Sequence, residues 1–239
     1  MAPTATQLTE IVPTSGATLS LADPQARDWL TARYARSSEA YTRINMITTL
    51  TGSATGADGT SDSISSRADR LILGVIRADA DAIVVGAQTV RAEGYTVPRT
   101  STLVIVTATG NLSGHQLSDE ALERVRLICP ADSLPQVQAA SPHLSVIPLA
   151  GDFSPTTIQA ALTGLGMRRL VCEGGPGLAS QFLVSGVVDE LCVTSAPTVD
   201  PTHQPFIAVR ERPETAVVGM LADDAGFSYL RLSVGSLPR

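Results

Sequence analysis

The chain is 239 residues long, 44% hydrophobic and 17% charged, enough to bury one substantial core and far from the composition of a disordered chain. Its formal charge of −6 and pI near 5.0 exclude a general nucleic-acid binder, which needs a basic stripe. Its 17 Lys and Arg residues are all arginine, so a Walker A lysine, a Schiff-base lysine and a pyridoxal anchor are excluded together.

Residues 1–20, rich in Thr, Ala and Ser with little periodicity, read as an extension lying on the surface or frayed. Asp23 and Pro24 then read as the N-cap and first position of a helix that places Leu30 and Tyr34 on one face. Together these segments form an N-terminal extension with one helix, residues 1–40, before a main domain over residues 41–239. Residues 41–50 form the first core strand, with Ile44, Met46 and Thr48 on one parity, and a polar stretch follows over residues 52–63. Ser65 and Ser66 open a helix whose Ala68, Leu71, Ile72, Val75 and Ile76 make one apolar stripe.

Beyond it the chain alternates. Residues 82–85, 102–106, 124–129, 144–149, 170–172 and 191–194 are short apolar strands. Residues 88–92 form a helical turn, residues 156–165 a helix, and a further helix follows Gly174 and Gly175 and ends near Gly186. Residues 215–221 and 227–234 read as an antiparallel hairpin at the edge of the sheet. The pattern predicts an α/β fold with a mixed, mostly parallel sheet, helices on both faces and an antiparallel C-terminal hairpin.

Glu173-Gly174-Gly175-Pro176-Gly177 follows an apolar strand and precedes a helix. Such a turn offers backbone N–H groups and a positive dipole end to a phosphate, or it serves only to turn the chain tightly. A Rossmann fingerprint is not matched, because the glycine spacing is partial and lies late in the chain. Gly86-Ala87-Gln88-Thr89 is a second strand-to-helix turn, where Thr89 either caps the helix or donates to a ligand. Arg77, Arg91 and Arg99 are candidates for gripping an anion or are surface charges. His115, His143 and His203 lie in polar or proline-rich loops without ligand spacing, and Cys129, Cys172 and Cys192 sit apart in apolar runs. No metal site and no disulfide framework are expected.

No basic-then-apolar leader opens the chain, and no apolar run approaches the roughly 18 residues of a membrane helix. A cytoplasmic protein with no membrane partner is the expectation. Neither a Gly-x-Ser-x-Gly elbow nor the zinc-deaminase signature appears. Hydride transfer suits what remains, since the nicotinamide brings the reactive atom and the protein supplies alignment.

The ordered blocks Asn45-Met46-Ile47-Thr48-Thr49-Leu50-Thr51-Gly52, Ser61-Asp62-Ser63-Ile64-Ser65-Ser66, Arg77-Ala78, residues 81–93 and Glu173-Gly174-Gly175-Pro176 resemble the reductase domain of bacterial riboflavin biosynthesis. The resemblance implies a dihydrofolate-reductase-like fold, a homodimer, and NADPH-dependent reduction of 5-amino-6-(5-phosphoribosylamino)uracil by hydride transfer to ribose C1′. It implies cofactor contacts from Ser63, Thr89, Glu93, Thr107, Gly174, Gly175, Pro176, Gly177, Leu178 and Ala179. Ser61, Arg77, Val97, Arg99 and Glu173 would meet the substrate, the arginines holding its phosphate. No catalytic acid or base is assigned. The alternatives are an NADPH reductase of another pterin-like or ribosylated heterocycle, and a non-catalytic nucleotide-binding homologue. The chain differs from the family in having Thr51 in place of Asp, Glu93 in place of Asp, and Gly94-Tyr95 in place of Asn/Asp-Pro.

Overall fold

Each short apolar run becomes a strand, and the strands join one sheet. The computed structural model describes residues 6–235. Its strands are β1 (Gln7–Val12), β2 (Thr18–Ser20), β3 (Tyr41–Thr49), β4 (Ala82–Gly86), β5 (Thr102–Val106), β6 (Val125–Pro130), β7 (Ser145–Leu149), β8 (Arg169–Cys172), β9 (Glu190–Ala196), β10 (Thr215–Asp223) and β11 (Ser228–Val234). They lie in the order β2-β1-β10-β11-β9-β3-β8-β4-β5-β6-β7. From β9 to β7 every neighbouring pair is parallel. From β9 to β2 every pair is antiparallel. The mixed, mostly parallel sheet expected from the sequence is therefore the one found.

The helices are α1 (Ala26–Arg33), α2 (Arg67–Ala78), α3 (Ala87–Ala92), α4 (Leu134–Ala140), α5 (Pro155–Gly164) and α6 (Pro176–Val184). They divide between the two faces, which explains why the central parallel strands β4, β5 and β8 are nearly continuous apolar runs. Ile83, Val85, Leu103, Ile105, Leu127 and Val171 pack under α1 to α4. Val84, Val104, Ile128, Leu170 and Cys172 pack under α5 and α6. Helix α2 buries the predicted stripe of Ala68, Ile72, Val75 and Ile76, and each large aliphatic side chain so buried contributes roughly 1.5–3 kcal/mol. Ser66 caps this helix by accepting from the Asp69 N–H at 3.1 Å. Leu71 is only partly buried.

Three expectations are corrected. Residues 7–20 are part of the sheet, with β1 pairing along β10 and β2 along β1; residues 1–5 of that expected extension lie outside the described residues. The C-terminal hairpin is consequently not an edge, because β1 and β2 cover β10. Helix α1 begins at Ala26 with Gln25 as its N-cap. Asp23 caps the preceding turn instead, its Oδ1 accepting from Gln25 N at 2.8 Å. Leu30 and Tyr34 are both buried, as their shared face requires. Helix α4, which begins Leu-Pro-Gln, carries one buried residue, Val137, and so leaves no apolar stripe to read in the sequence. Among the described residues no helix is long and apolar enough to cross a membrane.

Candidate active site

Two strand-to-helix turns meet at the carboxyl ends of the neighbouring strands β8 and β4. The chain leaves β8 through Glu173, whose N–H bonds to Val84 O at 3.0 Å. Gly174 follows at φ +86°, a backbone conformation that L side chains rarely adopt. Its carbonyl accepts from Gly86 N at 2.8 Å, and the next N–H, that of Gly175, donates to Thr89 Oγ1 at 2.7 Å. The Gly174–Gly175 peptide is cis. The β8–α6 turn and the β4–α3 turn are thus joined by two hydrogen bonds, and Thr89 keeps its hydroxyl proton for another acceptor.

The donor set suits an anion. Helix α6 starts with Pro176, has Gly175 as N-cap and receives no side-chain cap. The N–H groups of its first turn are therefore available to an anion. A Cβ on Gly175 would approach Thr89 Oγ1 to 2.9 Å, whereas at Gly177 it would meet nothing within 4 Å. The turn is packed tightly on its inner side and open toward the ligand side.

In front of these turns lies a cleft of about 780 Å³. Asp69, Leu73 and Arg77 line it from α2, spaced four residues apart and so on one face, and Ser65 lines it from just before the helix. At one end Arg77 chelates Glu173, with Nε to Oε1 at 2.7 Å and Nη2 to Oε2 at 2.6 Å. The Tyr95 hydroxyl donates to the same Glu173 Oε2, and the Arg77 guanidinium lies 5.0 Å from the Tyr95 ring centroid. Burial disfavours the charge on Arg77, but the Glu173 carboxylate outweighs it and holds the guanidinium above its ordinary range. Burial, reinforced by the Glu173 charge, pushes the Tyr95 hydroxyl far up, so it stays protonated. At the other end Asp69 accepts from Thr194 Oγ1 at 2.6 Å and from Ser65 Oγ at 2.7 Å. Between them Glu93 Oε2 accepts from the Ser61 hydroxyl at 2.6 Å and the Ser61 N–H at 3.1 Å.

Of the residues singled out in the sequence, Ser61, Arg77, Thr89, Glu93, Glu173, Gly175 and Pro176 line this cleft. Gly174 is buried in the turn behind them. The others lie outside the lining. Ser63 is exposed and donates to Asp58 Oδ1 at 2.6 Å. Thr107 is buried at the end of β5, where its hydroxyl accepts from Gly110 N at 2.9 Å and caps its own loop. Val97 packs against the core and Arg99 is exposed. Gly177 is exposed on α6, while Leu178 and Ala179 turn their side chains into the core under that helix. Arg91 is spent on Asn111 O at 2.7 Å. Sequence reasoning missed Asp69 and Tyr95. The four-residue spacing on α2 was the available signal for Asp69; Tyr95 had none, because its partner is 78 residues away.

Among the described residues no three His, Cys, Asp or Glu side chains stand together to hold a metal. Cys129, Cys172 and Cys192 are free and buried, and burial pushes the Cys172 and Cys192 thiols up to about 12.

A seven-stranded parallel array with a cleft at its carboxyl ends defines an α/β protein of the class that binds ligands at strand ends, with its two joined glycine turns beside that cleft. The chain belongs to the RibD C-terminal domain family, whose sequence profile matches residues 40–199. It is 29% identical over 171 residues to the riboflavin biosynthesis protein RibD of Mycobacterium tuberculosis, covering 72% of this chain and 45% of that one. The chain thus spans about half the length of the curated relatives it matches. Its fold is shared with a pyrimidine reductase-like protein of Corynebacterium diphtheriae, at TM-score 0.72 and 24% identity, covering 86% of this chain and 98% of that one. A deaminase/5-amino-6-(5-phosphoribosylamino)uracil reductase of Thermotoga maritima shares it at TM-score 0.67 and 19% identity, covering 82% and 56%.

Proposed function

We propose that this chain is an NADPH-dependent reductase acting on 5-amino-6-(5-phosphoribosylamino)uracil and yielding the ribitylamino product. The observation that carries the reading is the joined pair of glycine turns, with Thr89 Oγ1 bonded to Gly175 N, set beside the Arg77–Glu173–Tyr95 cluster in one cleft. When bound, NADPH supplies the hydride. The first turn of α6 holds its phosphates through backbone N–H groups, and Thr89 donates its free hydroxyl proton. On the substrate side Glu173 fixes the Arg77 guanidinium in position, and Ser61, bonded to Glu93, closes the opposite wall. Residues 41–239 form the reductase unit of this reading, and β1 and β2 from residues 1–40 extend its sheet.

One observation favours a second substrate. Both arginines lining the cleft are already paired, Arg70 with Asp62 at 2.7 Å and Arg77 with Glu173. A phosphate would have to share or displace a carboxylate, whereas an unphosphorylated ribosylated or pterin-like heterocycle would not. Mixing purified protein with NADPH and either the phosphoribosylaminouracil or its dephosphorylated form, and following the nicotinamide absorbance, separates the readings. Oxidation with the phosphorylated compound is expected; oxidation only with the other selects the second substrate. NADPH binding without oxidation by either would make the chain a non-catalytic nucleotide-binding homologue.

A cytoplasmic setting accords with three free thiols. A homodimer is supported by the exposure of Val217 and Val218 on β10. Sedimentation at micromolar concentration checks it.

A further inference from the structure

Reduction at ribose C1′ needs a proton as well as a hydride, and the assignment of its donor rests on the reductase reading. Hydride arrival makes a C–H bond at C1′ and breaks the bond from C1′ to the ring oxygen. The departing electron pair stays on that oxygen, which takes up one proton and becomes a hydroxyl. Two of the groups already placed in the cleft are poorly suited to give that proton. Arg77 is held charged by Glu173, and the Tyr95 hydroxyl is both committed to Glu173 and pushed far up by burial. None of His115, His143 and His203 lines the cleft.

Asp69 does line it, from the same face of α2 as Arg77 and eight residues away, about 12 Å along the helix axis. Its two oxygens are engaged by hydroxyls alone, Thr194 Oγ1 on Oδ1 and Ser65 Oγ on Oδ2. The nearest guanidinium, that of Arg70, is turned onto Asp62 by bonds of 3.0 and 2.7 Å. This distinguishes Asp69 from Glu173, which a guanidinium grips on both oxygens. A hydroxyl both donates and accepts, so Thr194 and Ser65 can serve the carboxylate and, after rotating, the carboxylic acid. Thr194 stands on β9 opposite Ile47 of β3, and β3 is flanked on its other side by β8, which leads into the glycine turn. The strand to which the acid is bonded thus stands two strand spacings, roughly 10 Å, from the strand that leads into the glycine turn.

We propose that Asp69 is the proton donor of this cleft, delivering its carboxyl proton to the ring oxygen as hydride reaches C1′, with Thr194 and Ser65 as positioning residues. Burial favours the protonated form and raises the carboxyl above its ordinary value, against the two hydroxyls and the charge of Arg70, which lower it, while Asp62 raises it further. Tyr229 of β11, bonded to Ser66 and Asp223, also faces it.

The test compares Asp69→Asn, Asp69→Glu and Thr194→Val with the intact protein. Asp69→Asn is expected to lower kcat about 100-fold or more, the ordinary contribution of a positioned acid, with NADPH affinity and melting temperature unchanged. Asp69→Glu restores part of the rate. In the intact protein kcat declines as pH rises through the acid's titration; Asp69→Asn lacks that limb. Thr194→Val removes a bond that lowers the carboxyl and so moves the limb to higher pH. Independently of turnover, carboxyl carbon NMR of the resting protein shows two aspartates titrating above the usual range, Asp69 and Asp189, both raised by burial, and the first of these signals is absent in Asp69→Asn while the second remains. Full activity with the same pH limb in Asp69→Asn, or an Asp69 carboxyl that titrates in the ordinary range, overturns the role of Asp69 and leaves the reductase reading standing. Failure of the intact protein to transfer hydride to either ribosylaminouracil removes the reductase reading and this role together.

Discussion

Arg77 carries an obligation to two partners, and that divides the consequences of removing it. In the free protein its fork is filled by Glu173, so a substrate phosphate competes with or shares a carboxylate already in place. Arg77→Ala should therefore raise the substrate KM by about 2–3 kcal/mol, roughly 30- to 150-fold, while the NADPH Kd changes little. Isothermal titration with NADPH beside steady-state kinetics measures both, and equal weakening of the two ligands would show that Arg77 does not belong to the substrate side. Arg77 and Glu173 were legible in the sequence because each sits in a motif. Their bond to one another was not, since 96 residues separate them. Tyr95 was visible only as an aromatic standing where the family has proline; its hydroxyl acquires meaning once β8 brings Glu173 beside it.

At the scale of elements, continuous apolar runs such as Ala82-Ile83-Val84-Val85 and the stripe of α2 were readable because burial on both faces of a strand, or along one side of a helix, leaves a direct pattern. Strand β1 was not readable, because one of its two buried positions is a charge: Glu10 faces inward to meet Arg33 at 2.8 Å, so the alternation of Leu8 and Glu10 looks polar. The glycine turn was legible, and its structure adds a reason for Gly174 itself. At φ +86° a side chain is strained, and its Cβ would approach Met46 Sδ to 3.2 Å. Gly174→Ala should cost about 1–2 kcal/mol of stability and loosen the Gly175–Thr89 bond, so chemical denaturation and NADPH affinity should fall together. Wild-type NADPH affinity in that variant would separate the turn from the nucleotide site. The starts of β4 and β8 are tied by Asp81, which accepts from the N–H groups of Arg168 and Arg169 and from the Arg169 guanidinium. Burial pushes this carboxyl up, but those bonds outweigh it and hold it below its ordinary range. A group depressed on folding stabilises above its unfolded pKa and loses that contribution as pH falls through the folded one. Acid titration of stability should accordingly be shallower in Asp81→Asn than in the intact protein, and parallel curves would count against the assignment.

Across the whole molecule, the parallel and antiparallel halves of the sheet meet at β9, and a buried charge network spans that seam. Glu190 is 0% exposed and accepts from Arg43 Nε of β3 at 2.5 Å and from Arg231 Nε of β11 at 2.5 Å. Both guanidinium groups also bond the end of α1, Arg43 to Tyr34 O at 2.9 Å and Arg231 to Arg33 O. One carboxylate thus connects three adjacent strands and the helix packed across them. In the sequence, Asp189-Glu190 before an apolar strand reads as an ordinary polar boundary, and only the flanking arrangement of β3 and β11 turns it inward. The network places two arginines on one carboxylate, so its members are unequal. Removing either arginine leaves Glu190 with the other. Removing Glu190 leaves two buried cations facing each other without an anion, and a buried pair broken at one partner costs about 3–5 kcal/mol. Glu190→Ala should lose at least that much, measured as a lowered denaturation midpoint, and should lose more than Arg231→Ala, whose guanidinium is the more exposed of the two. Because none of Arg43, Glu190 and Arg231 lines the cleft, the same variant should keep its NADPH affinity under conditions where it is still folded. A Glu190→Ala protein as stable as the original would mean that the seam is held by backbone pairing and apolar packing alone.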